Sequence, residues 1–296
     1  MDHDDKRTDD GKRADGDKGP DRAANGQNGV AHQLQARASA HPFWYHTIDI
    51  APGVVTPGWF DLRPVAHRIP WPDVAGKRCL DIGTFDGYFA FELERRGAAE
   101  VVAIDVEDHL QWDWPPDYRG PQLARDPAFS GPPKGAGFRL AKELIGSNVD
   151  WRPLNVYDLH PALVGSFDVV VMGSLLIHLR DPIRALEAIR GVTRGQFLSS
   201  DQIELGLTWL SPHRPLYRLN GSGSECQWYN FNASGHCRLL YSAGFEIQKR
   251  SKPYSVRFNK HPLPTRRSVQ TAATWALTGS SAPGVLHQAL LARPRV

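Results

Sequence analysis

The chain has 296 residues, 41% of them hydrophobic, and its 35 Lys and Arg against 32 Asp and Glu give a formal net charge of +3. This length allows one large domain or two small ones, and the mixed, nearly balanced charge argues against a nucleic-acid-binding protein with a concentrated basic face. Three irregularly spaced cysteines exclude a disulfide framework, and no apolar run is long enough for a membrane span or a signal segment, so we expect a cytoplasmic protein without a membrane partner.

The beginning of the chain changes character near residue 38. Residues 1–38 are rich in Asp, Lys, Arg, Gly and Ala and hold almost no large apolar residue, so we expect a disordered, charged tail. Residues 39–76 instead carry dense aromatics between Pro and Gly, as in FWYHTIDIAPGVVTPGWFD. This pattern predicts an irregular N-terminal cap that packs on a main domain over residues 77–296.

The main domain alternates continuous apolar runs with segments of helical apolar spacing. RCLDIG, EVVAIDV, FDVVVMGSLLI and GQFLSSDQI predict buried strands, and FEIQKRS and HQALLARP predict closing strands. GYFAFELERRG, PIRALEAIRGV and ASGHCRLLYSAGF predict helices. The alternation is typical of an α/β protein with a doubly wound sheet.

Three stretches interrupt this alternation, at residues 107–136, 206–231 and 251–284. Long loops in a compact domain are often binding loops. The first two follow predicted strands, and the carboxyl ends of parallel strands form the ligand site of such a sheet. We therefore expect these insertions to border the site.

The turn after the first predicted strand carries the first chemical signal. Asp81 and Gly83 end the strand and Gly87 opens the next helix, while Phe85 stands where dinucleotide-binding turns have a glycine. A carboxylate at Asp81 would repel a pyrophosphate at the helix N-terminus, but it suits a cationic ammonium. S-adenosylmethionine has that ammonium, a sulfonium and a ribose, and no phosphate, so a side chain at Phe85 that packs along it is tolerated.

Two further signals agree with this cofactor. Asp105 ends the second predicted strand, where a carboxylate can accept hydrogen bonds from both ribose hydroxyls, and Val106 follows it. Asn155 and Val156 follow the third strand, where we expect them to contact the edge and face of an adenine. The alternative is a plain strand-turn-helix with incidental acids, but the register of the acids and glycines favours S-adenosylmethionine over NAD.

Taken together, the motifs Asp81-x-Gly83-x-x-x-Gly87, Asp105, Asn155-Val156 and FDVVVMGSLLIHLRDP resemble class I S-adenosylmethionine-dependent methyltransferases. More narrowly, FWYHTIDIAPGVVTPGWFD, LDIGTFDGYFAFELERRGA and GSLLIHLRDPIRAL are similar to the family named after the wobble-uridine tRNA modification enzymes, over about residues 41–250. The resemblance implies a seven-stranded Rossmann-like sheet with an antiparallel last strand. It also implies that Asp81, Gly83 and Gly87 lie along the methionine part of the cofactor and that Gly173 and Ser174 form its floor.

The chain departs from the narrower family at two places. The wobble-uridine enzymes hold the extra carboxylate of a carboxylated cofactor with a lysine before the catalytic domain and a tyrosine before the histidine that follows strand four. This chain has Ser39 and Ala40 near the first place and Ile177 at the second. An unpaired carboxylate buried against Ile177 would cost roughly several kcal/mol, so we expect ordinary S-adenosylmethionine and methyl transfer.

Several residues are candidates for catalysis or substrate binding. His178, after the fourth strand, is a candidate general base, with a structural or gating role as the alternative. The candidates for substrate binding come from the cap, from the end of the fifth strand and from the segment before the last helix, and they are His46, Asp201, Trp228, Tyr229 and Asn230. Cys226, His236 and Cys237 lack a fourth ligand at a familiar spacing, so we expect no metal site.

These patterns leave three hypotheses on function. The first is methyl transfer to a small-molecule acceptor in specialised metabolite biosynthesis. Oxygen is the acceptor atom that we expect first, ahead of nitrogen and carbon. The second is a wobble-uridine methyltransferase or carboxymethyl transferase acting on tRNA, which requires a basic groove beside the site. The third is a cofactor-binding regulatory protein, or an enzyme that uses the aminopropyl part of the cofactor in a cyclisation.

Overall fold

A computed structural model describes residues 19–115, 133–220, 227–259 and 284–295, with side chains from residue 29 onward. The helices and strands follow one another as α1 (Gly19–Ala40), β1 (Asp49–Ala51), β2 (Val54–Val55), β3 (Phe60–Asp61), β4 (Arg78–Ile82), α2 (Tyr88–Arg95), β5 (Glu100–Asp105), α3 (Ala136–Ile145), β6 (Asp150–Pro153), α4 (Pro161–Val164), β7 (Phe167–Gly173), α5 (Pro182–Val192), β8 (Thr193–Gln202), α6 (Leu205–Leu210), β9 (Tyr217–Leu219), β10 (Tyr229–Phe231), α7 (Ala233–Ser242), β11 (Phe245–Arg250), β12 (Tyr254–Phe258) and β13 (Gly284–Pro294). None of the helices in these ranges is both long and apolar enough to cross a membrane.

The centre of the molecule is a nine-stranded sheet with the order β3-β12-β13-β8-β7-β4-β5-β6, in which β11 also pairs with β13. Strands β6, β5, β4, β7 and β8 are parallel, and β13 runs antiparallel to β8. The chain runs outward from β4 through β5 to β6 and then returns to β7 and β8 on the other side of β4. This reversal creates a crevice at the carboxyl ends of β4 and β7, which is where open α/β sheets bind ligands.

The sheet confirms the predicted α/β class and contains the predicted seven strands, β4 to β8 with β11 and β13, but it has two more. β12 lies at the start of the stretch 251–284, and β3 lies in the cap and pairs with β12 through Asp61 and Phe60. β13 accommodates both β11 and β12 because it is 11 residues long and pairs with β12 near its start and with β11 near its end. The cap is therefore joined to the main sheet.

Both faces of the parallel strands are buried, which explains their continuous apolar runs. Within β4, Leu80 and Ile82 belong to a core with helices α4, α5 and α7. Cys79 belongs to the opposite core, which includes α2, α3 and the buried Trp44 of the cap. Alternate residues of one strand thus serve two helical layers.

Helix α1 differs from the expected disordered tail over residues 19–38. Ala38 is fully buried, and Ala31 and Leu34 pack against the core on the same helix face. The indole Nε1 of Trp44 donates a hydrogen bond to the carbonyl of Ala38 at 2.7 Å. Tertiary packing of a few small apolar residues therefore orders a segment whose composition predicts disorder. The rest of that tail, residues 1–18, lies outside the described residues.

Candidate active site

A cavity of about 530 Å³ lies at the carboxyl ends of the central strands, beneath the cap. Its walls come from the turn after β4, the ends of β5 and β7, the segment after β6, the cap, and the paired strands β12 and β13. Most of the predicted cofactor-binding residues line it: Gly83, Phe85, Asp105, Val106, Asn155, Val156, Gly173 and Ser174. The predicted cofactor residues Asp81 and Gly87 do not.

Asp81 lies behind the turn instead of facing the cavity. Its carboxylate is 1% exposed and accepts a hydrogen bond from the backbone N–H of Ala90 at 3.0 Å, so it fixes the first turn of α2 against β4. Burial raises the pKa of Asp81 to about 7. Asp81 is therefore not among the residues that line the cavity, and its contact with a cofactor ammonium stays a prediction.

Gly87 is needed for packing. Its φ of +98° is a left-handed conformation, and an added Cβ would lie 2.5 Å from the ring of Phe91 and 2.7 Å from that of Phe138. The glycine allows α2 to begin tightly against α3, and it shapes the turn from behind.

Phe85 adopts an uncommon backbone conformation for a residue with a large side chain, with φ of +48°. Its ring lines the cavity and packs 4.8 Å from the ring of Tyr45 in the cap. Its N–H donates to Oδ2 of Asp105 at 2.9 Å. Strain of this kind is concentrated at functional sites, and here it turns a backbone donor onto the predicted ribose acid.

Asp105 is the most heavily hydrogen-bonded acid on the cavity wall. Besides the bond from Phe85, its Oδ1 accepts the N–H of Val106 at 2.8 Å and forms an ion pair with Lys134. Lys134 is a cavity residue that the sequence reasoning did not identify. It lies in the Pro- and Gly-rich insertion 107–136, where a single lysine carries no recognisable signal.

The adenine-binding prediction falls on a short 3₁₀ helix, Val156–Asp158. Asn155 caps this helix, because its side chain accepts a hydrogen bond from the N–H of Tyr157 at 3.0 Å. Asn155 and Val156 both line the cavity, next to Leu154. The cap holds these residues at the carboxyl end of β6, beside Asp105.

The cavity also has an aromatic wall formed by the cap and β12. Tyr45 and Phe60 of the cap have ring centroids 4.9 Å apart, and Phe60 lies 4.9 Å from Phe258 of β12. Trp59 lies 5.7 Å from Phe60 in the same wall. All four residues line the cavity together with the predicted cofactor-binding residues.

Three histidines line the cavity, His46, His178 and His287. His46 is in the cap, and burial lowers its pKa to about 3, so it is neutral. His178 is the last residue of the 3₁₀ helix Leu176–His178. This helix follows β7, and the sequence likewise places His178 after the fourth strand. His287 lies near the start of β13, where the sequence HQALLARP indicates only a closing strand with a polar first residue.

His287 is held in one tautomer by its neighbours. Its Nδ1 lies 2.9 Å from the carbonyl of Val285, which requires a proton on Nδ1. Its Nε2 lies 2.8 Å from the hydroxyl of Ser174 and therefore accepts a hydrogen bond from it. Burial lowers the pKa of His287 to about 4, so the imidazole is neutral and its Nε2 atom is unprotonated at the cavity wall.

Asp201, one of the predicted substrate-binding residues, lies outside the cavity. It is completely buried, and its carboxylate accepts hydrogen bonds from the N–H groups of Leu176 and Gln202, each at 2.9 Å. Burial raises its pKa to about 7. Asp201 therefore positions the loop after β7, while its neighbour Gln202 lines the cavity.

Trp228, Tyr229 and Asn230 also lie off the cavity wall. The indole of Trp228 donates to the carbonyl of Asp113, Tyr229 donates to the carbonyl of Arg180 at 3.1 Å, and Asn230 pairs with Arg218 between β10 and β9. The side chains of Trp228 and Tyr229 thus brace the loops around the site, and Gln227 lines the cavity.

Metal binding has no support within the described residues, because they contain no group of three or more His, Cys, Asp or Glu that could hold an ion. His236 instead pairs with the hydroxyl of Ser199 at 2.9 Å, and Cys237 packs in the core. Cys226 lies outside the described residues.

Comparison with known protein families identifies the type of domain that this chain contains. A family model described as a methyltransferase domain matches residues 61–249, more than half of the chain. The chain is 39% identical over 93 residues to the 16S/23S rRNA (cytidine-2'-O)-methyltransferase TlyA of Mycobacterium tuberculosis, which covers 31% of this chain and 33% of that protein.

Two other curated relatives have different substrates. The chain is 28% identical over 170 residues to the ubiquinone biosynthesis O-methyltransferase of Pseudomonas aeruginosa, covering 55% of this chain and 59% of that protein. It is 27% identical over 123 residues to the tRNA U34 carboxymethyltransferase of Campylobacter hominis, covering 41% of this chain and 34% of that protein. The chain thus spans less than two thirds of the length of each of these relatives.

Proposed function

The chain belongs to the S-adenosylmethionine-dependent methyltransferases, and on this premise we propose that it methylates a small, largely apolar acceptor on an oxygen atom. When bound, the cofactor supplies a methyl group on a positively charged sulfur, which a nucleophile displaces. Alignment of the nucleophile with that methyl group accounts for much of the catalysis.

The residues on one side of the cavity fit the chemistry of this cofactor. Asp105 offers carboxylate oxygens to a ribose, and Asn155 and Val156 offer a polar edge and an apolar surface to an adenine. Gly83 and Gly173 let the backbone come close to the amino-acid part. The left-handed turn at Phe85 supports the assignment, because it directs a backbone N–H to the ribose acid.

The aromatic wall is the observation that carries the proposal of a small acceptor. Tyr45, Trp59, Phe60 and Phe258 line the same cavity as Asp105, and such an aromatic wall favours a compact, apolar or planar molecule. The one cationic side chain among the described lining residues is that of Lys134, which is paired with Asp105. The described wall therefore offers little attraction to a phosphate backbone.

The dyad of Ser174 and His287 gives the site a way to take a proton from a hydroxyl. The Nε2 atom of His287 already accepts a hydrogen bond from the Ser174 hydroxyl, and an acceptor hydroxyl in that position would donate to the same nitrogen. As the hydroxyl oxygen attacks the methyl group, its proton passes to Nε2. His178 remains the alternative base, since it also lines the cavity.

Matched variants of the two histidines separate these roles. We expect His287→Gln to lower kcat at least tenfold, because removal of a general base typically costs about 10²-fold or more, and His178→Gln to change it less. The reverse order would assign the proton transfer to His178. Retention of Tm in each variant, measured by thermal unfolding, is the control for folding.

The second candidate function is wobble-uridine modification of tRNA, which the similarity to the tRNA U34 carboxymethyltransferase favours. One feature of the cavity speaks against it. Ile177, at the place where the wobble-uridine enzymes have a tyrosine, lines the cavity and is 2% exposed.

Label transfer distinguishes the two functions. The purified protein is incubated with methyl-labelled S-adenosylmethionine and either the small-molecule fraction or the tRNA fraction of a cell extract. We expect label in the small-molecule fraction, in an alkali-stable ether, and none in tRNA. Labelled tRNA would contradict the proposal, and a labelled metabolite from a biosynthetic pathway of specialised metabolism would identify the acceptor.

A further inference from the structure

Lys134 occupies an unusual position beside the predicted ribose acid. Its ammonium forms an ion pair with Oδ1 of Asp105, and both side chains are only 6% exposed. The ammonium also lies 4.5 Å from the ring centroid of Trp112 and 5.2 Å from that of Phe85. A buried charge is stable when it is paired in this way, so the ammonium of Lys134 is well held beside Asp105.

The hydrogen-bonding capacity of Asp105 is nearly used up. A carboxylate has about four lone-pair sites, and three donors already point at this one: the N–H of Phe85 on Oδ2, the N–H of Val106 on Oδ1, and Lys134 on Oδ1. About one site is left. A ribose whose 2'- and 3'-hydroxyls both donate to this acid needs two.

Only one of the three donors can leave without unfolding the turn. Phe85 is held in its left-handed conformation by a turn whose Gly83 N–H bonds to the carbonyl of Ile104 at 2.9 Å. Val106 is the next residue to Asp105 and its N–H is fixed by the backbone. Lys134 donates from the end of a flexible four-carbon chain.

We propose that Lys134 and the ribose of the cofactor compete for Asp105, so that the ammonium leaves the carboxylate before both hydroxyls bind. The inference rests on the proposed function, because it requires S-adenosylmethionine in this cavity. The ion pair occupies lone pairs that the ribose needs, and so it weakens cofactor binding by the free energy of separating the pair. Asp86 is a second buried acid within electrostatic reach of Lys134.

The test is the dissociation constant of S-adenosylhomocysteine, measured by isothermal titration calorimetry. Lys134→Met keeps the length of the side chain and removes its charge, and we expect it to bind about tenfold more tightly than the wild type, a change of about 1.4 kcal/mol. Lys142→Met is the matched control, because Lys142 lies on α3 and bonds to the carbonyl of Val149, off the cavity wall. Its affinity should equal that of the wild type.

The Asp105→Asn background supplies a second control. An amide does not form the ion pair, so adding Lys134→Met to Asp105→Asn should give no tightening. Weaker or unchanged binding by Lys134→Met in the wild-type background overturns the competition. If neither the wild type nor Lys134→Met binds S-adenosylhomocysteine, the proposed function fails as well, whereas binding without a gain refutes the competition alone.

A measurement on the wild type keeps the inference testable if the variant does not fold. The side-chain ammonium of a buried, ion-paired lysine gives a resolved ¹H–¹⁵N signal, which Lys134→Arg removes and so assigns. We expect this signal to shift or broaden when S-adenosylhomocysteine saturates the protein. A signal that stays in place at saturation would show that the ion pair survives binding, and it would overturn the proposal.

Discussion

At the scale of single residues, the turn after β4 has an uncommon backbone conformation at Phe85, a residue with a large side chain. Phe85 stands where a dinucleotide-binding turn has a glycine, yet the backbone there is left-handed, as a glycine would allow. Its ring packs beside the cap and lines the cavity. The side chain of Phe85 therefore forms part of the cavity wall, and its backbone N–H donates a hydrogen bond to Asp105.

Phe85→Gly tests this interpretation of the turn. Glycine adopts the left-handed conformation without strain, so we expect the variant to bind S-adenosylhomocysteine within a fewfold of the wild type by calorimetry, with a lower Tm from the lost packing against Tyr45. Gly83→Val should abolish binding, because φ is +69° there and an added Cβ meets Leu175 at 3.1 Å. Loss of binding in Phe85→Gly alone would mean that the ring itself holds the cofactor.

The sequence was a good guide to the strand ends that line the cavity and a poor one to the residues that reach the cavity from other elements. Asp105, Asn155 and Gly173 follow strands whose carboxyl ends must converge in a parallel sheet, so position along the chain predicts position in space. His287 and Lys134 reach the cavity through an antiparallel strand and an irregular insertion, where no such rule applies. Asp201 follows the rule but is buried by its hydrogen bonds to the loop after β7.

At the scale of structural elements, the cap and the glycine turn form one unit. The carboxylate of Asp86, inside the turn, accepts hydrogen bonds from the backbone N–H groups of Tyr45 and His46 in the cap. Cap strand β3 also pairs with β12. The aromatic wall is thus fixed by the turn at one end and by the sheet at the other. The position of the cap depends on these contacts, which the cap sequence alone does not reveal.

Asp86→Asn tests the link between cap and turn through its pH dependence. Burial raises the pKa of Asp86 to about 7, above its ordinary value of about 3.8, so ionisation destabilises the folded state as pH rises from about 4 to about 7. The stabilisation that protonated Asp86 contributes is complete below its pKa in the unfolded chain. It is lost as the pH rises through its pKa in the folded protein. An asparagine does not ionise, and its amide oxygen still accepts the two N–H groups.

We therefore expect the free energy of unfolding of Asp86→Asn, relative to the wild type, to rise by about 2 kcal/mol between pH 5 and pH 8. Urea unfolding at both pH values measures it. Asp168→Asn is a control that should show no change between these pH values, because Arg194 lowers the pKa of that surface carboxyl to about 2 and it is ionised in both the folded and the unfolded state at pH 5 and pH 8. A relative stability of Asp86→Asn that falls with pH would contradict the buried, uncharged acid.

At the scale of the whole molecule, strands β3 and β12 extend the seven-stranded sheet that is typical of the family, and both contribute residues to the cavity wall. The seven strands that the family resemblance implies carry most of the predicted cofactor residues at their ends, while β3 and β12 add aromatic residues to the cavity wall. Those two strands escaped prediction because β3 has only two residues and β12 begins just after a proline, although its sequence YSVRF alternates apolar and polar residues. Helix α1 escaped because its packing face is made of only a few small residues.

The central claim is that Asp105 makes this cavity a site for S-adenosylmethionine, and calorimetric titration of S-adenosylhomocysteine into the wild type and Asp105→Ala tests it most directly. We expect the wild type to bind at one site per chain and Asp105→Ala to lose at least tenfold in affinity, because the ribose hydroxyls lose their acceptor. Glu246→Ala, at an exposed ion pair on the sheet edge, should bind like the wild type. Equal affinity of Asp105→Ala and the wild type would contradict the placement of the cofactor.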